Sequence, residues 1–255
     1  MLVGAIVACR RRTPTSRATA PGAYWPGEPA GFKVLTDYGF GDAIPTVDQH
    51  ARLGETRWQV TYNSHGYVTR VSDSSAPLSS PYVAQFMYPA GMRDGHAPGT
   101  MYWDDLNSAE VYVGFWWKVS NPWQEHPAAN KIAFLFIGGH TMFLYMYATN
   151  GGKRELRVQP EFASDGAMRY PNVTTTDVAL GVWHRIEWYV KYVPGGEGVM
   201  KWWLDGVMQG NHSNVNFPGN FTMFQFSPTW GGNQGDTKTE TEYYWYDHVR
   251  LSVPR

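Results

Sequence analysis

The chain has 255 residues, and its 21 lysine and arginine residues nearly balance its 22 aspartate and glutamate residues, giving a formal net charge of -1. Nucleic-acid binders usually carry a basic excess, so this balance argues against one. Aromatic residues make up 16% of the chain, which excludes a disordered protein, and the 27 Gly and 17 Pro favour turns over long helices.

The chain begins with a short apolar run that ends at Cys9, the single cysteine. A single cysteine excludes an intramolecular disulfide and a cysteine-based zinc site. The run from Ile6 to Cys9 resembles the lipobox of bacterial lipoproteins, which implies a lipidated cysteine and a secreted, periplasmic or outer-surface protein. The alternative is an unstructured leader with an incidental cysteine. In both cases we assign residues 1–20 to a leader and tether, and residues 21–255 to one domain.

From about Gly31 onward, short strand-like runs alternate with turn signals. In residues 110–119 the apolar side chains recur with period two, and residues 131–137 are apolar on both faces, as in a central strand. The other predicted strands are 82–87, 141–147, 155–159, 184–192, 199–204, 221–226 and 242–252. No segment has a sustained helical period, so the sequence predicts a sandwich or jelly roll of two sheets.

Two segments in the second half of the chain, 181–191 and 198–207, resemble a hairpin of concanavalin A-like jelly rolls. Residues 243–252 resemble the closing strand of the same superfamily. Within it, the likeness is nearest to heparin-lyase-like and to alginate- or glucuronan-lyase-like polysaccharide lyases. The resemblance implies an all-β jelly-roll β-sandwich of two antiparallel sheets, with a concave groove that binds a polysaccharide.

The catalytic motifs of this superfamily do not transfer to the chain. The Glu-x-Asp-x-x-Glu strand of laminarinase-type glycosidases does not occur, nor does the Tyr-x-Lys-x-Gly-x-Tyr signature of alginate lyases. The fold also hosts many activities. Site residues are therefore inferred from their chemistry and from the strand face they occupy.

A lyase that acts on a uronic acid needs a base for the C5 proton, an acid for the leaving oxygen, and groups that neutralise the carboxylate. The catalytic candidates are strand residues that can transfer protons: Lys131, Tyr145, His184 and His248. Each has a structural alternative, namely a strand-edge lysine, a tyrosine that simply suits a strand, or a histidine with satisfied hydrogen bonds.

Substrate-binding candidates are polar or aromatic residues within strands: Gln85, Lys118, Tyr147, Arg157, Gln159 and Glu161. Arg157 and Gln159 alternate with Leu156 and Val158, so they point away from the core if these apolar residues face it. Arginine binds a carboxylate through two hydrogen bonds, which suits an acidic sugar. The alternative for this row is an ordinary solvent-facing strand surface.

Hydrolysis would instead need two carboxylates about 5 to 9.5 Å apart. The available ones are Glu161, Glu187, Asp205 and Asp247. Asp205 is explained by its Asp-Gly turn, and Glu187 by a cross-strand ion pair with a basic neighbour, so this hypothesis is the weaker one.

Metal chemistry has little support in the sequence. His126 and His140 look isolated, which argues against zinc, and no cofactor is required. The sequence leaves a structural calcium as an alternative, with the loop 233–236 as a weak candidate for its ligands.

Three hypotheses remain. The first is a lyase that cleaves an acidic polysaccharide, the second is a non-catalytic glycan-binding lipoprotein, and the third is a structural surface lipoprotein. We expect a monomer that meets a membrane only through a lipid on Cys9.

Overall fold

The computed structural model describes residues 25–255. The predicted leader, its lipidated Cys9 and the tether lie outside the described residues. Residues 25–255 contain no helix, as the sequence predicts. A helix long and apolar enough to cross a membrane is therefore not found in this part of the chain.

The described residues form 15 strands. In chain order they are β1 (Lys33–Tyr38), β2 (Ala51–Arg52), β3 (Gln59–Thr61), β4 (Val68–Ser72), β5 (Tyr82–Tyr88), β6 (Thr100–Trp103), β7 (Glu110–Val119), β8 (Asn130–Ile137), β9 (His140–Ala148), β10 (Arg154–Glu161), β11 (His184–Lys191), β12 (Gly198–Leu204), β13 (Val207–Val215), β14 (Phe221–Phe226) and β15 (Glu242–Val253).

The strands form two antiparallel sheets, which confirms the predicted jelly-roll sandwich. The first sheet has the order β13-β12-β11-β7-β15-β5-β4, with β1 also paired to β15. The second sheet has the order β10-β9-β8-β14-β6-β3-β2. Neighbouring strands in each sheet are often distant in sequence, so each sheet collects residues from the whole described chain.

The period-two pattern of β7 explains how the first sheet packs. Val111, Val113, Phe115 and Trp117 belong to the core between the sheets, whereas Lys118 faces away from it. Successive side chains of a strand point to opposite faces, so one face of each sheet is buried and the other is left for solvent or a ligand.

Two buried phenols of the first sheet cross this core and bind the backbone of the second. The Tyr246 hydroxyl donates to the Ile132 carbonyl at 2.8 Å, and the Tyr88 hydroxyl donates to the Pro228 carbonyl at 2.6 Å. The rings of Tyr246 and Phe226 also meet in the core, with centroids 4.2 Å apart. These contacts fix the spacing of the two sheets beneath strand β8 and the end of β14.

The hairpin of β12 and β13 leaves no room for a side chain opposite Trp202. Gly210 pairs with Trp202 across the two strands, and a Cβ atom at Gly210 would lie 2.1 Å from the indole ring. Trp202 is fully buried, and its indole N–H donates to the Leu156 carbonyl of β10 at 3.2 Å. The glycine therefore lets Trp202 connect the two sheets.

We predict that Gly210→Ala lowers the free energy of unfolding by about 1–3 kcal/mol, the usual result of overpacking a core. The control is Gly219→Ala, because a Cβ atom there meets no atom within 4 Å. Urea unfolding of both variants measures the effect. Equal stability of Gly210→Ala and the parent chain would show that Trp202 can move aside without loss.

Candidate functional site on the outer face of the second sheet

The outer face of the second sheet divides into two parts. Over β8 and β9, the side chains of Phe134, Phe143 and Tyr145 form a small apolar cluster that is separate from the main core. Over β14, β6 and β3, the same face is open and forms a groove. The strand pairing explains this division. Phe134 of β8 is paired with Phe143 of β9 on the apolar side and with Gln225 of β14 on the open side.

Residues 162–178, here called the covering segment, run over the β9 and β10 part of this face. The segment pairs with β10 through Arg169 and Val158, whose backbone groups exchange two hydrogen bonds of 2.8 and 3.1 Å. Met168 packs against the apolar cluster of Tyr145 and its neighbours. The segment therefore shields this cluster from solvent.

Tyr145 lies beneath the covering segment and is only 1% exposed. Its hydroxyl lies 3.0 Å from the Met168 sulfur, and burial raises the pKa of the phenol to about 12, an effect that the nearby Arg157 opposes. Tyr145 lies on the outer face of the second sheet. Its phenol, however, is closed off from a ligand while the segment stays in place.

The row predicted on β10 points outward, as the alternation with Leu156 and Val158 predicts. Arg157 lies between two tyrosine rings, 3.7 Å from the Tyr147 centroid and 4.6 Å from that of Tyr170, and donates to Glu155 at 2.7 Å. The charge of Arg157 thus already has a partner, and its guanidinium holds the covering segment by stacking on Tyr170.

The next two residues of the row also have protein partners. The Gln159 amide donates to the carbonyls of Pro160 at 2.7 Å and Gly166 at 2.9 Å. Glu161 accepts a hydrogen bond from the Thr141 hydroxyl at 2.5 Å. The polar groups predicted to grip a sugar here therefore stabilise the sheet edge and the covering segment instead.

Lys131 lies at the boundary between the covered part and the open groove. Its backbone N–H donates to the Thr229 carbonyl at 3.0 Å, and Thr229 lines the groove. The ammonium lies 4.8 Å from the centroid of the Phe143 ring. Burial lowers the pKa of Lys131, an effect that the negative charge of Glu161 partly offsets. Within residues 25–255, no carboxylate forms an ion pair with Lys131.

The open groove has a volume of about 590 Å³. Its lining mixes hydroxyl, imidazole, amide and apolar groups: His50, Thr61, Tyr62, Gly95, His96, Ala97, Gly99, Thr100, Tyr102, Phe136, Met223, Gln225, Ser227 and Thr229. Among these described lining residues there is no aspartate or glutamate. The groove therefore offers proton-transfer and amide groups without a fixed negative charge.

A chain of hydrogen bonds fixes Tyr102 at the side of the groove. The hydroxyl of Tyr102 donates to the Gln59 amide oxygen at 2.9 Å and is also bonded to Nδ1 of His50. The Gln59 amide nitrogen donates to Asp104 at 3.0 Å, which orients the amide with its oxygen toward Tyr102. Burial, and next the charge of Asp104, raise the pKa of Tyr102. The phenol is therefore held in its protonated form.

Gln225 lies between Tyr102 and the strand of Lys131. It is paired with Tyr102 on one side and Phe134 on the other, and it lines the groove. Its side-chain amide makes no hydrogen bond within residues 25–255, so it is available to a ligand. The same face thus presents Lys131, Gln225 and Tyr102 on three adjacent strands.

The sequence interpretation did not find His50, Tyr102 or Gln225. Tyr102 belongs to the four-residue strand β6, which is too short for an alternating pattern to stand out, and His50 lies in the segment before β2. Gln225 was within a predicted strand, and its polar side chain between two buried phenylalanines was the one available signal.

Two predicted substrate-binding residues, Gln85 and Lys118, lie on the outer face of the first sheet. Gln85 accepts a hydrogen bond from the Trp245 indole at 3.0 Å, and Lys118 forms an ion pair with Asp73. Lys118 also lies 4.6 Å from the ring centroid of Trp183 and 4.9 Å from that of Trp245. Gln85 and Lys118 therefore lie together beside Trp245 on the first sheet, whereas Lys131 lies on the second sheet.

The two predicted catalytic histidines also belong to the first sheet. The ring nitrogens of His184 face the Asp205 carboxylate at 2.7 Å and the Ala179 carbonyl at 2.9 Å. Those of His248 face Ser79 at 2.5 Å and Asp37. All four ring nitrogens are occupied by partners within the chain, so the placement favours structural roles. Neither histidine lines the open groove.

Two of the carboxylates considered for hydrolysis, Glu187 and Asp247, are likewise bound within the first sheet. Glu187 accepts hydrogen bonds from the Gly27 N–H at 2.6 Å and the Tyr112 hydroxyl at 2.7 Å. Its ion pair is with Arg185 of the same strand, β11, whereas the sequence predicted a cross-strand pair. Asp247 accepts hydrogen bonds from the N–H groups of Leu78 and Ser79. They stabilise the N-terminal turn and the loop before β5.

His126 is not isolated, contrary to the sequence-based expectation. Its Nε2 lies 3.4 Å from an Asp94 oxygen and 3.3 Å from an Asp236 oxygen. The Ala128 N–H donates to Nδ1 at 3.1 Å, so the hydrogen of the neutral ring sits on Nε2, the atom a metal would need. The arrangement therefore suits an imidazole N–H facing two carboxylates better than zinc. A structural calcium on the oxygens of the 233–236 loop stays a prediction.

Solved structures with similar folds include carbohydrate-active proteins. A doubly substituted variant of alginate lyase Aly36B in complex with an alginate trisaccharide has a TM-score of 0.65 and 11% identity, over 86% of this chain and 98% of that chain. Endo-β-1,4-glucuronan lyase from the fungus Trichoderma reesei has a TM-score of 0.56 and 16% identity, over 87% and 96%.

Domain 4 of AbnA, an extracellular arabinanase from Geobacillus stearothermophilus, in complex with arabinotriose, has a TM-score of 0.50 and 14% identity, over 88% of this chain and 94% of that chain. No family model matches the chain, and no curated protein matches its sequence. At these identities the likeness establishes the fold. The chain has the jelly-roll fold of alginate and glucuronan lyases, and this fold also occurs in other carbohydrate-active proteins.

We predict that His184→Gln destabilises the protein mainly at low pH. Burial acts to lower the pKa of His184, but the bonds to Asp205 and Ala179 outweigh it, so the pKa is raised. A raised pKa in the folded state gives stability that is complete below the unfolded pKa of about 6.5 and is lost as pH rises through the folded pKa. Thermal unfolding at pH 5.5 and pH 9 should show a loss of about 1–3 kcal/mol at the lower pH and less at the higher. A loss that does not depend on pH would contradict a stabilising imidazolium.

Proposed function

We propose that the open groove binds a uronic-acid polysaccharide and cleaves it by β-elimination. The observation that carries this proposal is the composition of the groove: Tyr102, His50 and Gln225 meet in a lining that has no carboxylate among its described residues. Glycoside hydrolysis normally needs two carboxylates at the scissile bond. A uronate, in contrast, would meet no repelling charge in this lining.

In this proposal Gln225 binds the uronate carboxylate through its free amide. Hydrogen bonds to the carboxylate stabilise the negative charge that develops when the C5 proton leaves. The hydroxyl groups of Thr100 in β6 and of Ser227, just after β14, lie 2.9 Å apart; one donates to the other, and the second can donate to a ligand. Phe136 and Met223 supply the apolar surface on which a sugar ring packs.

Lys131 is the proposed base. Its lowered pKa increases the fraction of neutral amine, and no ion pair within residues 25–255 holds the ammonium in its charged form. Buried lysines with lowered pKa values are known general bases. The amine takes the C5 proton, the C5–H electrons form the C4–C5 double bond, and the C4–O4 bond breaks.

Tyr102 is the proposed acid. Its raised pKa keeps the phenol protonated, and its bonds to His50 and Gln59 hold the hydroxyl in one position. The phenol turns its proton from the Gln59 amide oxygen to the departing O4 and transfers it there, while the electron pair of the broken C4–O4 bond stays on O4. Water then returns a proton to Tyr102 and removes one from Lys131.

The full chain should release unsaturated uronyl ends from at least one uronic-acid polymer. We would incubate it with a panel that includes alginate and glucuronan, with calcium present, and follow absorbance near 235 nm. A rise with one polymer would establish β-elimination and define the substrate. Reducing ends without this absorbance would contradict the proposal and favour hydrolysis.

Variants test the two proton-transfer roles. Tyr102→Phe should lower kcat by about 100-fold or more, the usual effect of losing a general acid. Lys131→Gln and Lys131→Arg should both lower kcat to a similar extent, because arginine stays charged and cannot accept a proton. Tyr82→Phe, on the first sheet, is the matched control and should leave kcat unchanged. Full activity of Lys131→Arg would mean that the charge matters and not proton transfer, which would overturn the base assignment.

A second function, glycan binding without catalysis, is favoured by the aromatic surface of the first sheet. Trp183 and Trp245 flank Lys118, and the rings of Tyr243 and Trp245 stack with centroids 5.4 Å apart. Partly exposed aromatic rings on the outer face of a sheet suit stacking on sugars. Retarded migration in a glycan affinity gel, lost in Trp245→Ala and retained in Tyr102→Phe, would support this function if no polymer is cleaved.

A further inference from the structure

The open groove continues beyond Tyr62 into a second depression of about 250 Å³. The residues that line this depression are aromatic, basic and apolar: Tyr62, His65, Tyr67, Met92, Arg93, His96, Ala97 and Pro98. Tyr62, His96 and Ala97 line both the groove and the depression. A chain that lies in the groove can therefore extend past Tyr62 without leaving the protein surface.

Tyr62 stands between the two spaces in an unusual conformation. Its side chain is 71% exposed, and its φ of 54° lies in the left-handed region that bulky residues rarely adopt. The next residue, Asn63, is fully buried, and its side chain bonds to the backbone of Val68 and Pro45. Buried bonds thus hold a strained backbone that presents an aromatic ring to solvent, a combination typical of ligand sites.

The charge of the depression favours an anion. Its lining contains Arg93, His65 and His96, and the described lining residues include no carboxylate. The arginine ion pairs found within residues 25–255 involve other arginines, so the Arg93 guanidinium has no carboxylate partner there. An unpaired guanidinium is suited to the planar, two-bond recognition of a carboxylate.

Aromatic rings complete the lining. His65 and Tyr67 stack with ring centroids 5.1 Å apart and an interplanar angle of 24°. His96 lies where the depression meets the groove, and its Nδ1 faces the Asp94 carbonyl at 3.0 Å, which leaves Nε2 for a ligand. Flat rings beside a cation are the chemistry that binds an acidic sugar, with stacking for the ring and ion pairing for the carboxylate.

We propose that this depression, here called the Arg93 subsite, binds a further uronate unit of the polysaccharide, with Arg93 on its carboxylate and Tyr62 stacked on the sugar that lies between this unit and the one in the groove. The proposal rests on the proposed function of the groove. It makes Arg93 a determinant of specificity, because a neutral polysaccharide would leave the guanidinium without a partner. It also requires an oligomer long enough to reach from the groove, past Tyr62, to Arg93.

Binding of oligomers separates this subsite from the groove. We would measure the affinity for oligouronates of two and six units, from the polymer that is cleaved or from alginate if none is, in a Tyr102→Phe background that prevents cleavage. Arg93→Gln should weaken binding of the longer oligomer by about ten-fold, the loss expected for a charge-assisted bond, and leave the shorter one unchanged. The affinity of Arg93→Lys for the longer oligomer should lie between that of Arg93→Gln and that of the chain with Arg93 intact. Tyr62→Ala should weaken binding of the longer oligomer as well.

Lys33→Gln is the matched control, because it removes the same charge from an exposed residue of β1 in the first sheet. On the polymer, with Tyr102 intact, Arg93→Gln should raise KM and leave kcat unchanged, as for an interaction made equally in ground and transition states. A neutral oligomer of glucose should bind equally to the parent chain and to Arg93→Gln.

Different results would overturn the Arg93 subsite and the lyase proposal. Unchanged affinity of Arg93→Gln for the longer oligomer, or no binding of any oligouronate, would overturn the subsite. If no polymer is cleaved but Arg93→Gln still weakens binding, the subsite stands and only the lyase proposal fails. Thermal unfolding confirms that the variants are folded before affinity is compared.

Discussion

The groove depends on two hydrogen bonds that cross the core. Tyr246 and Tyr88, from the first sheet, donate to the carbonyls of Ile132 and Pro228 in the second. These carbonyls belong to the residues next to Lys131 and Thr229, so the bonds fix the backbone on both sides of the boundary between groove and covered surface. A buried phenol without a partner is unfavourable, and this preference holds the two strands in one place.

The outer face of the second sheet is used in two ways. Over β9 and β10 the covering segment occupies it, with Arg157 stacked between Tyr147 and Tyr170. Over β14, β6 and β3 the face is open as a groove, which residues of the neighbouring loops also line. Aromatic and cationic groups that would suit a sugar thus bind the protein itself in one half. The other half keeps an amide and a phenol available for a ligand.

Charge separates the proposed chemistry from hydrolysis. Two of the acidic residues considered for hydrolysis, Glu187 and Asp247, are buried in the first sheet and accept hydrogen bonds from backbone and side-chain donors. The groove and the Arg93 subsite instead have histidine, arginine and amide groups in their described linings. Both linings would therefore suit the acidic polymer of the proposed function.

The sequence by itself determined nine of the fifteen strands, the bounds of β7 and β14, the jelly-roll fold and the outward direction of Arg157 and Gln159, because the period-two alternation of buried side chains is a property of local residue order. Only the tertiary structure decided which outward residues meet. His50 and Tyr102 are 52 residues apart and join through strand order, while Gln85, Lys118, His184 and His248 lie in the other sheet. Alternation within a strand predicts which face of the sheet a side chain occupies. The pairing of distant strands and the path of the covering segment depend on tertiary packing, which a local pattern does not predict.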